Sequence, residues 1–407
     1  MNSYRKKSIL KEVYMQKGIP VWGLLLLIVV CSGCQPMDYD ADGRSDYAVY
    51  DLITGDWFIQ SSTNATSALA WDANWGYVNC LPVSGNYGGD DGCDLAVYDE
   101  NTTTWYIRSL DGSWVTNGPD FGAIGYMPVP GVYTPSGRDD PVLYNRLTGA
   151  WLLYTNGVSQ TVNWGFSTAI PVVGDYNGDA LCDFAVFDRV AGNWYILDNN
   201  TNTVLAWGLN WGYAGCVPVP GDYNDDGIDD LAVYDPIHAK WYIRELSGNV
   251  ILWDADWGFT GGVPVPGDFA GNGSDLTLYD YRSGKWYSRN VEGSVIAWAK
   301  EWGYQGAWPV SAGPMTTNHV TGNWNMIAHY PTTNLTAQFS LTQTGSYLSG
   351  SMTFEGDTRA LTGEMYNNLL RLVLPRGWAM TLVLSGNTCA GYMGPPVAGI
   401  TVSGTKQ

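Results

Sequence analysis

Short apolar runs alternate with turn-forming residues along most of this chain, and the alternation itself repeats. The clearest copy reads Pro218-Val219-Pro220-Gly221-Asp222-Tyr223, continues through an acidic loop to Asp230, and resumes as Leu231-Ala232-Val233-Tyr234. Turn residues separate the runs Val217–Gly221, Leu231–Tyr234, Trp241–Arg244 and Val250–Trp253. Each copy therefore predicts four short strands. Equivalent prolines are assigned at Pro36, Pro82, Pro128, Pro171, Pro264 and, in an unfinished copy, Pro309, with a spacing of 46 residues from Pro82 to Pro128. Four strands per repeat at this period is the arrangement of a propeller blade. Six complete copies predict an all-β, six-bladed β-propeller. The unfinished Trp308-Pro309-Val310 and the first copy's own Pro36-Met37-Asp38 both offer a first strand to the first blade, and only one can occupy that edge.

Two tryptophan sets run in register. Asp51, Asp99, Asn145, Asp188, Asp235 and Asp280 each stand six residues before Trp57, Trp105, Trp151, Trp194, Trp241 and Trp286. An Asx side chain starts the turn and the Trp begins the third strand. A second set, Trp75, Trp164, Trp211, Trp257 and Trp302, precedes Gly at the end of the fourth strand, and one copy has Phe121-Gly122 there. Aromatic residues at equivalent places in every blade are read as inter-blade core.

After Pro314 the repeat stops. Leu335–Leu341, Leu348–Phe354, Leu369–Leu374 and Met380–Leu384 alternate with a period of two, which predicts half-buried antiparallel strands. The division is residues 1–33 as signal, 34–313 as propeller and 314–407 as a C-terminal antiparallel β domain, a small barrel or sandwich. Its Gly322-Asn323-Trp324 start and succession of short strands resemble lipocalin-like barrels. That resemblance implies room for a small apolar ligand.

Composition agrees with the pattern. Gly 50, Trp 20 and Tyr 27 with only 14% charged residues describe a turn-rich, aromatic-rich β protein. The formal charge of -19 excludes nucleic acid as an expected partner, because phosphate binding needs clustered Lys and Arg. Lys11 and Lys17 precede the apolar run Val21–Val30, which has the length of a signal core and is short for a membrane span. The run ends in Cys31-Ser32-Gly33-Cys34, which resembles the lipobox of bacterial lipoproteins, with Cys31 where that family has Leu. The resemblance implies a diacylated Cys34 at the mature N-terminus and anchoring to the membrane of a bacterial cell envelope. Cys80, Cys93, Cys182, Cys216 and Cys389 remain. Their odd number predicts no complete disulfide framework, and they are read mainly as small buried residues.

The loops between first and second strands carry the candidate chemistry. The first is Asp38-Tyr39-Asp40-Ala41-Asp42-Gly43-Arg44-Ser45-Asp46. Alternate oxygen-bearing side chains converge when the backbone turns sharply at Gly, and Ca²⁺ takes six to eight oxygen ligands. Asp38, Asp40, Asp42 and Asp46 are therefore candidate ligands, as are Asp222, Asn224, Asp226 and Asp230 in the fifth copy. The fourth copy keeps Asp175, Asn177, Asp179 and Asp183 but has Ala180 at the glycine. The second leaves one ligand position empty, the third has Val132, Thr134 and Ser136 where acids belong, and the sixth is one residue short. Binding is expected at the first and fifth loops, at the fourth more weakly, and not at the third.

Loop and flanking strands together resemble the FG-GAP/VCBS repeats of integrin-alpha-type propellers over residues 36 to 313. The resemblance implies Ca²⁺ in the hairpin between the first two strands, on one face of the disc, in a mostly structural role. Integrin-alpha heads have seven blades against six copies here, so partner surfaces do not carry over. No motif of catalytic spacing is present. The histidines, His238, His319 and His329, lack metal-ligand spacing, and residues that break the repeat, such as Arg138 and Asp139, are the candidates left for catalysis. The expected function is a lipid-anchored, Ca²⁺-stabilised, non-catalytic scaffold for a protein or polysaccharide. The alternative is a glycosidase or lyase acting at the central channel.

Overall fold

A computed structural model describes residues 37–407, apart from 311–319, 374–378, 394–399 and shorter gaps in turns and loops. The predicted signal, Cys34, Pro36 and His319 lie outside the described residues. Each copy folds into four antiparallel strands because its apolar runs are short and are cut by residues that cannot continue a ladder. In the fifth copy the strands are Val217–Pro218, Leu231–Asp235, Lys240–Arg244 and Val250–Asp256. The first is shorter than predicted, since neither Pro218 nor Pro220 has an N–H to donate. The fourth runs three residues past the predicted Trp253, through a break in register.

Six such four-stranded sheets occur among the described residues. They are the blades of a propeller. The first sheet has the order Trp308–Pro309, Tyr47–Tyr50, Asp56–Gln60, Ala68–Asn74. The unfinished last copy thus supplies the strand that the first copy lacks, with Pro309 opposite Val49 as Pro218 is opposite Val233. The two offers do not compete. Asp46 N–H donates to Met37 carbonyl just as Asp230 N–H donates to Gly221 carbonyl. Met37 therefore stands at the glycine position, and the alignment of Pro36 with Pro218 is corrected by two residues, to Pro220.

A closed series of backbone hydrogen bonds joins the sheets. The N–H groups of Ser45, Cys93, Asp139, Cys182, Asp229 and Ser274 donate to the carbonyls of Asp268, Asp38, Asn86, Val132, Asp175 and Asp222 in the preceding sheet, at 2.5 to 2.8 Å. The series runs from sheet to sheet and returns from the sixth to the first. Some of the same residues add a side-chain bond. Asp139 accepts Asn86 N–H at 2.6 Å, Asp229 accepts Asp175 N–H at 2.7 Å, and Ser45 Oγ accepts Asp268 N–H at 3.0 Å. This contact also fixes a glycine, because a Cβ on Gly221 would lie 2.5 Å from Ser274 Oγ.

Tryptophans pack the seams as predicted, and several add a hydrogen bond. Trp57, Trp105, Trp151, Trp194, Trp241 and Trp286 are fully buried. Trp194 Nε1 donates to Trp211 carbonyl at 2.8 Å, and Trp211 Nε1 crosses to Tyr242 carbonyl in the next sheet at 3.2 Å. The last sheet repeats this toward the first, from Trp286 to Trp302 at 2.6 Å and from Trp302 to Phe58 at 3.2 Å.

The strands Gly322–His329 to Thr401–Lys406 form a closed eight-stranded antiparallel barrel, with Trp324 of the first strand opposite Lys406 of the last. Closure selects the barrel over the sandwich. Trp324, Phe339, Leu348, Leu370 and Leu382 fill its interior. Cys80, Cys182, Cys216 and Cys389 are free, as expected of buried or half-buried thiols, whereas Cys93 is disulfide-bonded. The reading of Cys93 as only a small buried residue is corrected. The remaining cysteines of the sequence, Cys31 and Cys34, lie outside the described residues.

Trp241→Ala should cost about 3–5 kcal/mol, since it empties a fully buried site and orphans its carbonyl partner. Trp253→Ala, on the exposed edge of the same sheet, should cost about 1 kcal/mol or less. Urea unfolding of the two variants checks the contrast, and equal losses would contradict this account of the seam.

Candidate functional site

The first acidic loop brings three of its four predicted ligands together. Carboxylate oxygens of Asp38, Asp40 and Asp42 all lie within 4.8 Å of one another. The turn that gathers them is held by Asp38, whose oxygens accept the N–H groups of Asp42 at 3.2 Å and Gly43 at 2.9 Å. The fifth loop repeats the device, with Asp222 accepting from Asp226 at 3.1 Å and Gly227 at 2.8 Å. In the fourth, Asp175 accepts from Gly178 and, in place of glycine, Ala180, both at 2.7 Å. Ala180 takes a φ of 71° to do so, a strained value for a residue with a Cβ. Asn177 and Asn224 stand in the middle of these two loops and bring amide rather than carboxylate oxygens.

The fourth predicted ligand has another task. Asp46 is not part of the gathered set. Its Oδ2 accepts Tyr39 N–H at 2.9 Å and its Oδ1 accepts Ser62 N–H at 3.0 Å. Asp183 accepts Tyr176 N–H at 3.0 Å and Asn199 N–H at 3.2 Å, and Asp230 accepts Tyr223 N–H at 2.9 Å. The same clamp is made by Asp94, Asp140 and Asp275, in loops that lack the full acid pattern. It is therefore a feature of the loop's fold, whatever else the loop holds. Burial pushes the carboxyls of Asp46, Asp183 and Asp230 up to about 7, against the lowering effect of these N–H groups, and neighbouring aspartates add to the rise. Burial also raises Asp38, Asp175 and Asp222. A divalent cation would relieve carboxylates crowded in this way. The first loop fits Ca²⁺ best, and the fourth and fifth offer fewer carboxylates to it.

The perimeter carries a second constellation, which the sequence reading missed. Trp71, Trp207, Trp253 and Trp298 lie on the fourth strands of the first, fourth, fifth and sixth sheets and are 69%, 73%, 67% and 70% exposed. Each leans on the half-buried or buried Trp at the end of the preceding sheet. Ring centroids are 5.6 Å apart for Trp71 and Trp302, 5.6 Å for Trp207 and Trp164, 5.5 Å for Trp253 and Trp211, and 6.0 Å for Trp298 and Trp257.

A local distortion accompanies each of the four. The residue after the Trp is left-handed, with φ of 57° at Asp72, 66° at Gly208, 56° at Asp254 and 53° at Ala299. All four fourth strands also break register there or next to it. Such bulges bend an edge strand and re-aim a side chain, and non-Gly residues in this region carry strain. The third sheet pairs without a break and has Thr161 at the rim position. The signal available in the sequence was a constant spacing of four residues before the second tryptophan set, as in Trp253 and Trp257.

The residues offered for catalysis are not gathered around one another. Asp139 belongs to the seam, where burial pushes its carboxyl up to about 7 and Asn86 N–H pulls against the rise. Arg138 is exposed on its loop. His238 Nδ1 sits 2.6 Å from Asp235 in a hairpin turn, and His329 Nε2 sits 2.8 Å from Ser403 Oγ in the barrel wall.

No family model matches the chain, and no curated protein matches it. Among solved structures it is similar to a lectin of Agrocybe aegerita that recognises non-reducing terminal N-acetylglucosamine, at 14% identity over 78% of this chain and 90% of the lectin, with a TM-score of 0.44. It is also similar to TolB from Acinetobacter baumannii, at 12% identity over 81% and 78% with a TM-score of 0.26. The endo-1,5-alpha-L-arabinanase of Thermotoga petrophila matches at 10% identity over 86% and 77%, with a TM-score of 0.15. Likeness this distant assigns neither ligand nor reaction.

Proposed function

We propose that this chain is a non-catalytic, envelope-anchored scaffold whose six-bladed propeller lays a polysaccharide along its rim. The observation that carries the reading is the set of four exposed tryptophans at equivalent places on four sheets. An indole face combines a large apolar area with a polar edge, and exposing one costs free energy unless something covers it. Stable protein interfaces bury about 800 Å² per partner in one patch. Small platforms at equivalent places on four sheets suit a polymer of repeating rings instead, and several weak contacts on one chain add through effective concentration. Acidic glycans are disfavoured by the charge of -19.

Two further features belong to the proposal. Ca²⁺ binds the first loop through Asp38, Asp40 and Asp42, with weaker binding in the fourth and fifth, and stiffens the face that holds them. A diacyl group on Cys34 holds the protein at the membrane.

Single Trp71→Ala, Trp207→Ala, Trp253→Ala or Trp298→Ala changes should each weaken retention by neutral polysaccharide in affinity electrophoresis by about 1 kcal/mol, or roughly fivefold. The quadruple variant should run unretarded while keeping its unfolding midpoint within a few degrees. Undiminished retention of the quadruple variant would sink the reading.

Calorimetric titration should show Ca²⁺ binding at about 10⁻⁴ to 10⁻³ M. It should weaken sharply on Asp40→Asn with Asp42→Asn and not on Thr134→Ala. Because the Asp46, Asp183 and Asp230 carboxyls are raised to about 7, the folded chain without Ca²⁺ holds protons that the unfolded chain has released. Stability should then fall as pH rises from about 4 through 7, and Ca²⁺ should restore it above that range. Melting curves that ignore both pH and Ca²⁺ would contradict this.

Removing the sulfur that would carry the lipid tests the anchor. Cys34→Ser should move the protein from the membrane fraction to the soluble one. Continued membrane retention of that variant would count against a lipid on Cys34.

A further inference from the structure

The four rim platforms are not chemically equal. Between the fourth and fifth sheets, Trp253 is 5.3 Å from Tyr242, and Tyr242 is 6.2 Å from Tyr213, whose hydroxyl donates to Asp235 Oδ2. Between the sixth and first sheets the same path runs from Trp71 to Phe58 at 5.5 Å, to Tyr304 at 5.6 Å, and on to Asp51 Oδ2 at 2.6 Å. The other two platforms end differently. Trp207 leads to Tyr195 at 5.4 Å and then to Phe166 at 5.6 Å. Trp298 leads to Tyr287 at 5.5 Å and then to Phe259 at 5.2 Å. Along the arc from the third sheet to the first, Phe, Tyr, Phe and Tyr therefore alternate at one position.

We infer that Tyr213 and Tyr304 select the sugar: they act as fixed hydrogen-bond acceptors for a hydroxyl of a neutral pyranose ring seated on Trp253 or Trp71, whereas the Phe166 and Phe259 platforms hold rings by stacking alone. This rests on the rim-binding reading above. Three observations carry it. Each hydroxyl proton is committed to a buried or half-buried carboxylate, so that toward a ligand the oxygen acts as an acceptor. Both tyrosines remain open to solvent, Tyr213 by 43% and Tyr304 by 39%. Each is connected to an exposed Trp through one intervening ring, so that an apolar face and a polar acceptor belong to one surface. A donor-bearing neutral sugar matches that pair, and a carboxylated or sulfated one does not, since it would meet an acceptor beside an aspartate. The tyrosine–aspartate bond also ties adjacent sheets, so a purely structural role is the alternative.

The test uses the full chain, with laminarin, soluble cellulose oligomers and mannan as neutral probes and alginate as an acidic one. Tyr213→Phe with Tyr304→Phe should lower affinity for the best neutral probe by about two- to tenfold per site and flatten the preference among the three. Stacking should leave residual binding that the Trp variants remove. Phe166→Tyr is the reciprocal change, because Asp188 stands where Asp235 does, and it should raise affinity. If the unaltered protein binds none of the probes, the rim reading itself fails. If it binds and the Trp changes abolish binding, but the tyrosine changes shift only the unfolding midpoint, the selecting role fails alone. Tightest binding to alginate, or to zwitterionic phospholipid vesicles in place of any glycan, would overturn the ligand class.

Discussion

One short hydrogen bond per seam governs the propeller. A backbone N–H at the end of each acidic loop reaches the carbonyl that opens the loop of the neighbouring sheet. Buried backbone groups must be paired, so this bond sets how far one sheet stands from the next. It also explains why the adjoining position is Gly in five copies, where the neighbour's Ser, Cys or Asp presses in. The first copy has Met37 there and can dispense with its own first strand, because Trp308–Pro309 arrives to pair with Val49 and Tyr50. The two ends of the repeat are thereby tied into one sheet. These bonds are all made within the chain.

The loops themselves clarify what a cation would do. The clamp aspartate orders every loop from within, including the third, where the acid pattern is gone. There Thr134 Oγ1 bonds Asp140 at 2.9 Å and Ser136 at 3.2 Å, and hydroxyls take the place that carboxylates hold in the first loop. The third loop is therefore a hydrogen-bonded version of the same turn. In the first, three carboxylates are gathered, with Asp42 accepting the Thr63 hydroxyl at 2.6 Å and Asp38 two backbone N–H groups. The gathered acid set is an addition to a finished loop, which is why it varies from copy to copy without disturbing the sheets.

Much of this construction was legible in the sequence, because the frame repeats and repetition exposes register. The four strands per copy, the constant step from Asp235 to Trp241, the antiparallel segments of the barrel and the acid-rich loops were all readable from spacing. What escaped depends on direction. Trp253 and Trp241 both sit in strand-forming runs, yet one is fully buried and the other two-thirds exposed. A bulge at Asp254 accompanies the difference, and a left-handed aspartate has no signature in a single sequence. The offset of Pro36 was missed for a related reason, since a proline two places along looks the same until hydrogen bonds fix the register. The clamp made by Asp46 was not legible because a ligand and a clamp use the same residue type at the same position.

The fourth strands show how function can enter such a frame. They are edge strands in every sheet, and edges must be protected from pairing with other chains. A bulge serves that need by twisting the edge, and it simultaneously turns one side chain outward. On four sheets that side chain is Trp, and behind it the seam places further aromatic rings that the core already requires. Exposed platforms thus arise from protective and packing features with a single additional residue each. The change between Tyr and Phe at 166, 213, 259 and 304 then alters polarity at the seam while the backbone bonds that join the sheets are kept. A surface built in this way can vary site by site around a fixed ring, which is the condition under which copies of one repeat come to recognise different parts of one ligand.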